Sequence, residues 1–260
     1  MLLKDKVIVI TGVGPGMGSK LATIAAAEGA KVAVSARSEA FLKEVADDIA
    51  AHGGKAITVP TDVGDQAQCD RLIAETVKAF GRVDGLVNSA YKVGNWKTFE
   101  DSGIDEWQAN MDITCFGALR MSKAVLPIFK RQKEGSIINV SALAAVKPAP
   151  GQADYATAKS ALGGATRQLA QEFGKYNVRV NCARVGHLWG VPLLNYLKHL
   201  EETQHLSQKQ YVDQVTTTIA LKVIPPDEEC AKSVLFFVSD YSRMISGATI
   251  DINGGDYMAP

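Results

Sequence analysis

Seven short runs rich in β-branched residues, each separated from the next by a stretch long enough for a helix, constrain this chain most tightly. Val7 to Thr11, Lys31 to Ser35, Ala56 to Pro60, Val83 to Asn88, Ser136 to Val140, Val178 to Cys182 and Thr249 to Ile252 read as strands. Most are apolar throughout rather than alternating, the pattern of parallel strands covered on both faces. Helical patterns fill the gaps: Gly16 to Glu28, Glu39 to Ala51, Gln66 to Phe80, Asp105 to Lys130, Tyr155 to Gly174 and Asp227 to Ser239. Ser38 and Asp65 stand where helix starts are capped, and Gly53-Gly54 and Gly81 where helices stop. The expected fold is α/β, a doubly wound parallel sheet of about seven strands with right-handed crossovers and helices on both faces. Residues 1–260 form one expected domain, with no repeat or low-complexity linker.

Charge narrows the function classes. With 28 basic and 28 acidic residues, the chain lacks the charge bias of a nucleic-acid partner or an anionic membrane surface. No apolar stretch approaches the roughly 20 residues of a membrane span. The start, Met1-Leu2-Leu3-Lys4-Asp5-Lys6, leads straight into a strand without a signal-peptide layout. Cys69, Cys115, Cys182 and Cys230 are scattered, with no Cys-x-x-Cys pair, so neither zinc nor a disulfide framework is expected. The expectation is a cytoplasmic protein with reduced thiols.

Two motifs carry chemistry. Thr11-Gly12-Val13-Gly14-Pro15-Gly16-Met17-Gly18 lies where the first strand turns into the first helix. Glycine there lets backbone approach a pyrophosphate, whose charge rests on the helix N-terminus. The spacing is Gly-x-x-x-Gly-x-Gly rather than Gly-x-Gly-x-x-Gly, and tight helix–strand packing alone is the bland alternative. Far downstream, Tyr155 and Lys159 fall four apart on one helix face. A phenol ionises near pH 10, and lowering that by about three units takes roughly 4 kcal/mol, which one cation about 4 Å away supplies at an effective dielectric near 20. A half-buried tyrosine beside a solvated lysine is the ordinary reading of the same pair.

Together these motifs resemble the short-chain dehydrogenase/reductase family over nearly the whole length. Thr11-Gly12-x-x-x-Gly16-x-Gly18 matches its cofactor turn and Tyr155-x-x-x-Lys159 its catalytic helix. Asp62-Val63 matches the pair at the adenine, Asn88-Ser89-Ala90-Tyr91 is similar to Asn-Asn-Ala-Gly, and Asn253-Gly254-Gly255 to the final-strand glycines. The resemblance implies a Rossmann-like, nicotinamide-dependent oxidoreductase, a homotetramer or homodimer without a metal. It implies Tyr155 as proton donor or acceptor, and Lys159 as holder of the ribose hydroxyls that also lowers the phenol's pKa. It further assigns Gly12, Gly16, Met17, Gly18, Asp62, Val63, Asn88, Ala90, Gly186 and Leu188 to the cofactor.

Cofactor choice is read at the end of the second strand. An acid there accepts from the ribose 2′-hydroxyl of NAD, whereas a 2′-phosphate needs a cation. Ala36 stands in the acid's place and Arg37 follows, with Ser35 and Ser38 as further donors, so NADP(H) is expected. An arginine stacking on the adenine of NAD is the alternative.

Three positions depart from the family pattern around the reacting centre. Ala142 holds the place thirteen residues before Tyr155 where the catalytic serine belongs, and Ser141 precedes it. Adjacent strand residues face opposite ways, so Ser141 serves as that hydroxyl only if a bulge shifts the register, which is the expectation. Thr114 stands where the helix-borne asparagine belongs, and Val185-Gly186 replaces Pro-Gly. Tyr91 also replaces a glycine beside the cofactor.

From about 187 to 226, Trp189, Leu193, Leu194, Tyr196, Leu197, Leu200 and Tyr211 make an apolar stretch dotted with His187, His199 and His205. It suits a lid over a small hydrophobic substrate. An oligomer or core helix is the plainer reading. The expected activity is NADP(H)-dependent interconversion of a bulky apolar secondary alcohol and its ketone. A non-redox isomerase, cyclase or lyase that retains the dinucleotide, or a cofactor-binding protein without turnover, are the alternatives that Ala142 and Thr114 favour.

Overall fold

The protein is described here by a computed structural model covering residues 1–94 and 96–259, the side chain of His199 excepted. Its strands are β1 (Val7–Thr11), β2 (Lys31–Ser35), β3 (Lys55–Thr58), β4 (Gly85–Asn88), β5 (Gly135–Ala142), β6 (Val178–Val185) and β7 (Thr249–Ile252). They form one sheet in the order β3-β2-β1-β4-β5-β6-β7, and every pairing is parallel.

The helices are α1 (Met17–Ala27), α2 (Glu39–Ala51), α3 (Gln66–Phe80), α4 (Ile104–Met111), α5 (Gly117–Gln132), α6 (Ala153–Phe173), α7 (Val191–Gln204), α8 (Gln208–Thr216) and α9 (Asp227–Phe236). Strand parity sorts them to two faces. Ile8, Ile10, Val32 and Val34 pack with Leu21 of α1, Leu42 of α2 and Val234 of α9. Val9, Ala33, Leu86 and Ile137 pack on the other face with Leu72 of α3 and with Met121 and Phe129 of α5. Both faces of β1, β2, β4 and β5 are thereby buried, as parallel strands covered by helices on two sides are, while the edge strands β3 and β7 stay partly exposed.

The expected caps form: Ser38 accepts from Phe41 N, and Asp65 accepts from Ala67 N and Gln68 N. Several expected boundaries change: β3 spans Lys55–Thr58 rather than 56 to 60, β4 begins at Gly85 rather than 83, and α9 ends at Phe236 rather than 239. β5 and β6 run on to Ala142 and Val185, because their ladder continues through Ser141–Arg184 and Ala142–Val185. The helix expected over Asp105 to Lys130 is interrupted by a π turn at Asp112–Phe116. No helix among the described residues is long and apolar enough to cross a membrane.

A candidate active site at the strand switch point

β1 lies between β2 and β4, so chain connections leave it in opposite directions and a crevice opens at the strands' carboxyl ends. The chain enters the crevice at Gly12, whose φ is +72°. A Cβ there would stand 2.5 Å from the Ala90 backbone nitrogen, so only glycine lets the turn close on the end of β4. α1 follows with no side-chain cap; Ser19 N–H turns back to Gly14 O, while Met17 and Gly18 at its start line the crevice. A Cβ on Gly14 would touch nothing within 4 Å, so the turn faces open space. An uncapped helix start beside glycine backbone fits a dinucleotide's pyrophosphate.

Two cavities occupy the crevice. The larger, about 530 Å³, holds Gly12, Gly16, Met17, Gly18, Gly186 and Leu188 together with Tyr155, Lys159 and Ser141. The smaller, about 440 Å³, holds Arg37, Asp62, Val63 and Ala90. Most residues expected at the cofactor therefore meet along one groove. Ser35, Ser38 and Asn88 line neither cavity. Ser35 is fully buried with an unpartnered hydroxyl, so it cannot reach a 2′-phosphate in the groove. Ser38 is occupied as the α2 cap. The Asn88 amide donates to Asn139 Oδ1 at 2.9 Å and Ala118 O at 3.3 Å, tying β4 to β5 and α5 beneath the groove.

Tyr155 and Lys159 project from the first turns of α6 into the larger cavity. Lys159 is 2% exposed, and its ammonium donates to Val140 O at 2.6 Å. Burial pulls its pKa down to about 8. Its Nζ lies 5.7 Å from the Tyr155 ring centre and 5.4 Å from that of Tyr91. The expected lowering of the Tyr155 pKa by Lys159 is not what this geometry produces. Burial, and then the neighbouring Tyr91, hold the phenol above its ordinary value, so it keeps its proton at neutral pH.

The expected register change at Ser141 does not occur. The β5–β6 ladder runs unbroken through it, and Ser141 shares strand parity with Asn139, on the α6 side. Its hydroxyl donates to Lys159 O at 3.1 Å, while Ala142 turns to the other face without a donor. Thr114, carried inward by the π turn, accepts from Lys92 N at 3.0 Å and donates to Asn110 Oδ1 at 2.8 Å. Asn110 in turn donates to Asp154 Oδ2 at 3.2 Å, and the Tyr155 N–H donates to Asp154 Oδ1 at 2.8 Å. π turns recur at functional sites because they re-aim side chains.

The apolar stretch after β6 folds into α7 and α8. Pro192, in the first turn of α7, would stand 3.0 Å from a Cβ on Gly16, so this segment closes on the glycine turn. Trp96 stacks on Tyr196 at 5.8 Å, and Tyr196 and His187 each meet Tyr211 edge-on. Burial lowers the His187 pKa, so its ring is neutral at pH 7. His205 ends α7 in the left-handed region, and the His199 side chain lies outside the described residues. Among the described residues no group of His, Cys, Asp or Glu is arranged to hold a metal ion. Val93, Pro192 and Asp227 also line the larger cavity. Only the Gly190-Val191-Pro192 run, a proline-marked helix start, signals any of them in the sequence.

Comparison with known proteins follows the same outline. Residues 12–256 match a family profile described as Enoyl-(Acyl carrier protein) reductase. The chain is 33% identical to an uncharacterized oxidoreductase of Thermotoga maritima over 98% of both chains. It is 30% identical to levodione reductase of Leifsonia aquatica over 98% of this chain and 95% of that one. A crystal structure of levodione reductase matches with a TM-score of 0.90 and 29% identity, covering 97% of this chain and 98% of that chain.

Proposed function

The chain belongs to the short-chain dehydrogenase/reductase family of oxidoreductases, and from that premise we propose NADP(H)-dependent interconversion of a bulky apolar secondary alcohol and its ketone. The observation that carries the reading is the meeting of Tyr155, Lys159 and the glycine turn in one cavity. When bound, the nicotinamide supplies or accepts the hydride at the carbinol carbon. The rest is work for the chain's own residues. The Gly12 to Gly18 backbone and the α1 start hold the pyrophosphate, and Asp62 and Val63 face the adenine. Arg37, exposed beside Ala36 in the smaller cavity, meets the 2′-phosphate with its guanidinium fork. Lys159 holds the ribose hydroxyls, and Tyr155 exchanges a proton with the substrate oxygen.

α7 and α8, a lid within the one domain, exclude water over the apolar substrate. The working protein is a cytoplasmic homo-oligomer. A second reading, a non-redox isomerase, cyclase or lyase that keeps the dinucleotide in place, draws on one observation: Ala142 has no hydroxyl and that of Ser141 is engaged elsewhere.

The test follows NADPH absorbance over a panel of cyclic and aryl ketones, with NADH in parallel. NADP(H) binds at least tenfold more tightly than NAD(H), about 1.4 kcal/mol, and Arg37→Asp moves the preference towards NAD(H). Equal affinities in the parent remove the assignment of Arg37. Tight binding without turnover of any ketone transfers the function to the second reading.

A further inference from the structure

A ketone oxygen that is being reduced develops charge on two lone pairs, and Tyr155 can meet only one of them. The side-chain donors that line the larger cavity are few: Ser89, Tyr91, Ser141, Tyr155 and Lys159. Ser141 donates its hydrogen bond to Lys159 O, and the Lys159 ammonium donates to Val140 O and, in the proposed reading, to the ribose hydroxyls. Ser89 packs against Gly12, at the glycine-turn end. Tyr91 remains.

We propose that Tyr91 is a second catalytic phenol, which donates a hydrogen bond to the substrate oxygen alongside Tyr155. Its ring centre lies 5.9 Å from that of Tyr155 at an interplanar angle of 61°, and the Lys159 ammonium stands over both rings. Tyr91 is 48% exposed, so a ligand in the cavity has access to it. Burial raises the pKa of each phenol, which keeps both protonated at neutral pH.

The placement of the two tyrosines is shared. Lys92 N, one residue past Tyr91, donates to Thr114, and Thr114 donates to Asn110. Asn110 donates to Asp154, whose other oxygen accepts from Tyr155 N. Thr114 and Asn110 are fully buried and Asp154 is 2% exposed, so water does not compete for this chain. The loop between them is also tight: a Cβ on Gly94 would lie 3.0 Å from Asp154 Oδ1 and 3.2 Å from Tyr155 Cβ. One buried hydrogen-bond chain thus fixes the backbone of both phenols, which is the preorganisation that charge stabilisation needs.

The chemistry balances without a further reagent. In reduction the carbonyl carbon would take a hydride, with its two electrons, from the reduced nicotinamide and the oxygen the Tyr155 proton, which solvent water then restores to the phenolate. Tyr91 keeps its proton throughout. Oxidation of the alcohol runs the same transfers in reverse.

The inference rests on the proposed redox reading, and the experiment separates the two. Tyr91→Phe keeps the ring and removes only the hydroxyl, whereas Tyr91→Leu removes both. With Tyr91→Phe, kcat for the best ketone of the panel falls about 10²-fold, while the NADPH dissociation constant from fluorescence titration stays within about twofold of the parent. Near-parental kcat in Tyr91→Phe with loss only in Tyr91→Leu overturns the proposal, because the ring and not the hydroxyl then matters. A matching loss of NADPH affinity in Tyr91→Phe overturns it as well and assigns Tyr91 to the cofactor cradle. A parent that turns over no ketone removes both readings together, whereas an active parent with an unimpaired Tyr91→Phe removes this one alone.

Discussion

Around the glycine turn the crevice is walled by backbone: the closing of Gly12 on Ala90, the uncapped start of α1, and the open space before Gly14. Around Tyr155 it is walled by side chains, most of them held by burial or by hydrogen bonds to side chains or backbone carbonyls. The two regions share one cavity and differ in what holds them in shape. The first is set by where a Cβ cannot go, so its energetics are steric and insensitive to pH. The second is set by which donors face which acceptors, so its energetics are electrostatic and respond to titration. A change in the first alters binding and folding together. A change in the second separates chemistry from binding.

The largest expected effect tests that separation directly. Tyr155→Phe lowers kcat about 10³-fold and leaves NADPH affinity and melting temperature where they were. Steady-state rates and a fluorescence titration on the same preparation check it. If affinity falls with the rate, the two regions are not independent.

Gly12→Ala comes next, from the other region. A side chain at φ +72°, 2.5 Å from backbone nitrogen, costs about 3 kcal/mol in stability. Urea unfolding measures this, and the cost is the same at pH 6 and pH 9.

Lys159→Met is the electrostatic counterpart. The folded pKa, about 8, lies below the ordinary 10.5, so burying the charge destabilises the fold fully below pH 8. Between those two values the Lys159 site holds more protons in the unfolded chain than in the folded one, so its cost to the parent falls as pH rises, whereas the buried thiols of Cys69 and Cys230, held above their ordinary value, act the other way above pH 9. The variant removes the charge and orphans Val140 O, for a net gain of about 2 kcal/mol at pH 7. The variant lacks this dependence, so the gap between the two unfolding free energies narrows across that window. A gap between parent and variant that stays constant from pH 8 to pH 10 would count against the buried ammonium.

The smallest effect belongs to Ser141→Ala, which loses one hydrogen bond to the Lys159 carbonyl, about 1 kcal/mol, and keeps kcat within a few-fold. A thousandfold loss would restore Ser141 to the reacting centre and place the error in the register of β5.

The same division explains what could be read from the sequence. Strand limits at β1, β2 and β7 and the whole of α2 and α3 are visible, because binary patterning and the caps Ser38 and Asp65 act locally. The glycine turn is legible for a similar reason, since spacing alone tells where backbone must approach. The reacting centre is not. That Ser141 turns to α6 and Thr114 to Lys92 depends on long-range partners, and no local propensity encodes them. The burial of Ser35 follows from its place inside the sheet, while Arg37, two residues on, has left the sheet and reaches the groove. The depressed Lys159 pKa likewise comes from burial, which a Tyr-x-x-x-Lys spacing does not contain.

The π turn at Asp112–Phe116 has a consequence for phase. Each α-helical residue advances about 100° around the axis, and a π turn inserts one residue beyond an α turn. α4 and α5 are therefore out of step by about that angle, although the chain between them never leaves a helical path. On one uninterrupted helical wheel the buried Asn110 and Met121, eleven residues apart, would share a face about 20° apart, and the inserted residue instead turns Asn110 off the buried α5 stripe of Met121, Val125 and Phe129. Such an offset comes in whole residues. Removing one residue from 112 to 116 would close the turn into ordinary helix and rotate either Asn110 or the α5 stripe out of its place. The joint works as a one-residue vernier between the sheet and the cleft, with no intermediate setting.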